Sequence, residues 1–102
     1  MERYLFKLYV AGQTPRSERA IVNLRRICDS MLSSQYELHV IDVLERPNLA
    51  EQEGILATPT VIRQAPLPPL RILGDLSDTQ RVLHALGVPL PAVPRSDQGG
   101  EQ

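Results

Sequence analysis

The chain has 102 residues, enough for one domain with a modest core, and its 11 basic against 12 acidic residues leave a formal charge of −1. That balance gives no electrostatic drive toward nucleic acid or a membrane surface. A single cysteine, Cys28, excludes an intrachain disulfide framework; with no signal peptide in Met1–Phe6 and no window of roughly 20 apolar residues, a reducing cytoplasm is the expected setting.

Tyr4 to Val10 reads YLFKLYV, a nearly continuous apolar run that predicts a strand covered on both faces, with Lys7 the exception. Thr14 is a good helix cap and Pro15 suits the first helical position. The following helix carries Ala20, Ile21, Leu24, Ile27, Cys28 and Met31 at spacings of three and four, and Ser33–Gln35 end it. Tyr36–Leu44 predicts a second strand, in which Asp42 is either a partly buried acid with a structural partner or the strand's polar end. Pro47–Glu53 predicts a short helix closed by Gly54. Thr58–Pro59 is a candidate cis bond, and a third strand is expected from Thr60.

Ala65–Pro69 is a stiff connection, after which Leu70–Leu73 returns as a short edge strand and Gly74–Asp75 turns out of it. Ser77 and Gln80 have the spacing of a capping box, Val82, Leu83 and Leu86 give the last helix its apolar side, and Gly87 stops it. Pro89, Pro91 and Pro94 with a polar end predict a Pro/Gly-rich disordered tail over 89–102 after one domain over 1–88. The order β-α-β-α-β-β-α is that of an α/β, thioredoxin-like domain. Its first three strands are expected to pair in parallel, and the fourth antiparallel.

A thioredoxin-like redox enzyme keeps a dithiol at the start of its first helix, where the helix N-terminus stabilises a thiolate. Here that place holds Thr14-Pro15-Arg16-Ser17, and hydroxyls cannot exchange disulfides. Cys28 lies on the apolar stripe and reads as inert packing. His39 and His84 belong to no metal-ligand cluster, and no nucleophile elbow or phosphate loop occurs. Asp75 and Asp78 flank the start of the last helix, which suits its dipole. A glutathione-transferase-type domain would use the Thr58–Pro59 loop, but such enzymes add a helical domain for which the chain has no room. No catalytic residue, cofactor or metal is expected.

Lys7-Leu8-Tyr9-Val10-Ala11-Gly12 with Thr14-Pro15, then Ile55-Leu56-Ala57-Thr58-Pro59-Thr60 and Gly74-Asp75-Leu76-Ser77-Asp78, in this order, resemble the KaiB family. Val40–Leu44 and Pro66-Leu67-Pro68 add to the likeness, which runs from about Tyr4 to Leu86. The resemblance implies a non-catalytic protein that binds the N-terminal ATPase ring of a KaiC-type hexamer in a circadian or stress-timing system. It further implies capture of a KaiA-like protein and competition with the thioredoxin-like input domain of the kinase SasA. A stand-alone sensor domain for a histidine kinase and, less well supported, a thiol-dependent thioredoxin-fold enzyme are the alternatives.

The family resemblance also implies two folds: the monomeric thioredoxin-like form, and a tetrameric ground state ordered βαββααβ. Clock-type members carry glycine and aspartate where this chain has Ala85 and Gly87. With Pro89 and Pro91 breaking the segment that forms the last strand of the tetramer, those residues favour the thioredoxin-like form, and Pro59 is a further expected structural position. By the same resemblance, Lys7, Arg19, Arg63 and Arg71 are the expected partner-binding cations, and His39 stands where a lysine is common.

Overall fold

The computed structural model describes residues 3–33 and 35–88. Seven elements follow in order: β1 (Tyr4–Val10), α1 (Pro15–Leu32), β2 (Tyr36–Asp42), α2 (Pro47–Glu53), β3 (Thr60–Ala65), β4 (Leu70–Leu73) and α3 (Thr79–Ala85). This is the expected thioredoxin-like order. The tail from Pro89 onward, with the role expected of Pro89, lies outside the described residues, as does Ser34.

The four strands form one sheet in the order β2-β1-β3-β4. β1 pairs with β2 in parallel, and with β3 antiparallel. That corrects the expectation of three parallel strands. A parallel third strand would need the chain carried back to the end where β1 begins. The seven residues of α2 span only about 10 Å, against about 23 Å for a seven-residue strand. β3 therefore starts where β1 ends, with Thr60 opposite Tyr9, and runs back alongside it. β4 pairs antiparallel with β3, as expected.

Phe6, Leu8 and Val10 alternate onto the face covered by α1 and α3, where they meet Ala20, Leu24, Ile27 and Cys28 of α1 and Val82 and Leu83 of α3. Each buried Val, Leu, Ile or Phe among them contributes about 1.5–3 kcal/mol of transfer free energy. Thr14 caps α1, accepting from Ser17 N–H at 3.1 Å, and its own hydroxyl donates to Ser17 Oγ at 3.0 Å. β2 stops at Asp42, short of Leu44, because the Asp42 carboxylate accepts from Gly12 N–H (3.1 Å) and Leu44 N–H (2.9 Å), which turns the chain. The cap of α3 is Asp78 and not Ser77: its carboxylate accepts from Arg81 N–H at 3.2 Å, one residue later than the capping-box spacing predicts. Ser77 N–H is engaged by the Asp75 carboxylate at 3.2 Å.

The bonds Thr58–Pro59, Ala65–Pro66 and Leu67–Pro68 are cis. Pro59 is buried directly before β3.

Candidate partner-docking face

Strand alternation sorts the expected binding residues onto two faces. Lys7 of β1 lies opposite His39 of β2 and Ile62 of β3, and Ile62 lies opposite Arg71 of β4. Residues in register share a face, so His39, Lys7, Ile62 and Arg71 form one row across the sheet, on the side away from α1 and α3. Tyr9 and Ile62 are buried on this side, and Glu53 at the end of α2 comes close to both.

α2 lies over this open face and divides it. On one side, a groove of about 680 Å³ is lined by Lys7, His39, Ile41, Arg46 and Leu49 among others. On the other, a groove of about 430 Å³ is lined by Ile62, Leu67 and Arg71 among others. α2 buries none of its own residues. The face thus offers a half-covered apolar floor rimmed by cations, a shape that suits protein docking more than small-molecule chemistry. His39 donates to or accepts from Glu37 at 2.7 Å, with both side chains about half exposed. Neither Arg46 nor Leu49 is a site residue expected from sequence; their place four and seven residues beyond Asp42 becomes meaningful only once β2 and α2 line one groove.

Arg19 and Arg63 lie elsewhere. Arg19 projects from α1 and pairs with Asp75 at 3.3 Å, while Asn23 Nδ2 donates to Asp75 O at 2.8 Å. These contacts tie the segment before α3 to α1. The Asp75 carboxyl is held below its usual range by hydrogen bonds from the side chain and backbone of Ser77, then by Arg19.

Arg63 is only 6% exposed and sits on the helical side of the sheet, opposite Phe6. Its Nη1 donates to Leu86 O at 3.0 Å and its Nη2 to Pro68 O at 2.9 Å, with the guanidinium carbon 6.0 Å from the Tyr4 ring centroid. In this fold its guanidinium is a buried strut, and the exposed cation expected there is absent from the surface. Its Nε is buried without a hydrogen-bond partner among the described residues.

Ala85 is the last residue of α3 and half-buried. Gly87 follows with φ +66°, and a Cβ built there would stand 2.7 Å from Arg63 Nη1, so glycine is required by both backbone and space.

Chemistry is sparse. Cys28 is 1% exposed, and burial, with a smaller push from Asp29, raises its thiol to about 12. Such a thiol is protonated at neutral pH and is no nucleophile. Tyr36 donates to Asp29 at 2.6 Å, and that bond raises its phenol above the ordinary value. Among the described residues no group of three or more His, Cys, Asp or Glu side chains is placed to hold a metal, and no helix is long and apolar enough to cross a membrane.

The fold is shared with the N-terminal domain of Synechococcus elongatus SasA, at TM-score 0.70 and 22% identity over 91% of each chain. Chloroplastic thioredoxin z superposes at TM-score 0.68, with 24% identity over 84% of this chain and 77% of that one. In sequence, the chain is 48% identical over 88 residues to the circadian clock protein KaiB3 of a Synechocystis species, covering 86% of both. It is 53% identical over 83 residues to the circadian clock oscillator protein KaiB of Synechococcus elongatus, covering 81% of both. With the model of the KaiB domain matching residues 7–88, the chain belongs to the KaiB family.

Proposed function

We propose that this chain is a non-catalytic binding protein that docks on the ATPase ring of a KaiC-type hexamer through the open face of its sheet. The observation that carries this reading is the open face itself, where the basic side chains Lys7 and His39 stand in register on β1 and β2 beside a groove that α2 helps to line. Family membership supports the partner class. The buried, protonated Cys28 and the hydroxyl pair at Thr14 and Ser17 count against a thiol enzyme. The second half, ordered α-β-β-α, is the form that the family resemblance associates with monomeric, ring-competent protein; Ala85 and Gly87 at the end of α3 favour it over the tetrameric order. A KaiA-like protein would then join the ring complex, and a SasA-like kinase would compete for the ring.

Co-elution with a KaiC-type hexamer on a sizing column, in ATP and in ADP and with scattering for mass, tests the reading. A nucleotide-dependent complex and a free monomer are expected. No complex in either nucleotide, from a clean monomer, would contradict it and favour a sensor domain acting on a histidine kinase.

A further inference from the structure

α2 is seven residues long, covers no buried side chain of its own, and yet sits at the centre of the open face. Something outside it must hold it there. Its C-terminus shows what does. Gly54, at φ +66°, closes the helix: its N–H reaches Glu51 O at 3.1 Å, and Ile55 N–H reaches Ala50 O at 2.9 Å. That closure leaves the carbonyls of Glu53 and Gly54 without helical donors. Arg71 of β4 supplies them: its Nη2 donates to Glu53 O at 2.8 Å and its Nη1 to Gly54 O at 3.3 Å.

We propose that Arg71 is a positioning residue for the docking face: its guanidinium fork fixes the C-terminal end of α2 over the sheet, and it acts on a partner through α2, not by offering its own charge. Each terminal nitrogen gives one of its two N–H groups to a backbone carbonyl, which fixes the plane of the guanidinium against the end of α2. Tyr9 lies close by, its phenol raised by burial and by Glu53 and lowered by Arg71, which places these three groups in one another's field. Lysine cannot replace the arrangement, because an ammonium lacks the planar fork that serves two adjacent carbonyls. The effect on partner binding rests on the reading proposed above; the hold on α2 does not.

The test compares wild type, Arg71→Ala and Arg71→Lys by amide exchange, and by affinity for a KaiC-type hexamer across a salt series. Removal of the fork should speed exchange over 47–55 at least about fivefold, with α1 and β1 unchanged. Ring affinity should fall about tenfold with an unaltered salt slope, and Arg71→Lys should fall between. Unchanged exchange over 47–55 would overturn the proposal. So would loosening that spreads equally to α1 and β1, or an affinity loss accompanied by a salt slope lower by about one charge, the mark of a direct contact. A wild-type chain that binds no ring would sink the functional reading alone, and exchange would still decide whether Arg71 holds α2.

Discussion

Arg63 and Arg71 are near neighbours on one hairpin and do the same chemical work in opposite surroundings. Each spends both terminal nitrogens on backbone carbonyls, and each takes the carbonyl of the residue before a left-handed glycine at a helix end. For α3 the closure runs through Gly87 N–H to His84 O and Val88 N–H to Leu83 O, leaving Leu86 O to Arg63. For α2 the equivalent carbonyl is that of Glu53, and it goes to Arg71. Arg63 is buried on the helical face and Arg71 is exposed on the open one. The same contact should therefore weigh heavily in global stability on one side and mainly in local order on the other, because water can replace an exposed donor but not a buried one.

Arg63→Met should break the comparison most sharply. It strands Leu86 O in the interior, while Pro68 O stays within reach of water, and should cost about 2–3 kcal/mol in urea denaturation, against less than about 1 kcal/mol for Arg71→Ala. Equal losses would mean that burial does not separate the two. The glycines give the next contrast. Gly87→Ala adds a contact with Arg63 to an unfavourable backbone and should cost about 2–3 kcal/mol, whereas Gly54→Ala meets nothing within 4 Å and should cost about 1–2 kcal/mol.

The smallest effect concerns Asp75. Its carboxyl is lowered in the folded chain, so its contribution exists above the unfolded carboxylate value of 3.8 and fades as pH falls through the folded one. Asp75→Asn should lower the melting temperature slightly near pH 7 and not near pH 2; an equal deficit at both would show that charge is not involved.

Much of the fold could be read from local signals. Proline at the start of α1 and α2, and glycine after α2 and α3, marked those boundaries because their backbone limits are intrinsic. Alternation cannot encode strand direction, so the antiparallel run of β3 became visible only through the length of α2. Arg63 was misplaced for a related reason. In TVIRQA a charge reads as surface, although period two puts it on the same side as Val61, and its partners are carbonyls that leave no mark in the sequence. Lys7, His39 and Arg71 entered through family resemblance, and what united them was strand register, a property of pairing and not of any one segment.

The most direct test of open-face docking is an amide-exchange footprint of the chain, free and bound to a KaiC-type hexamer. Slowed exchange concentrated over α2 and around His39, with the outer faces of α1 and α3 unchanged, is the expected result. Protection confined to α1 and α3, with α2 as in the free chain, would contradict it.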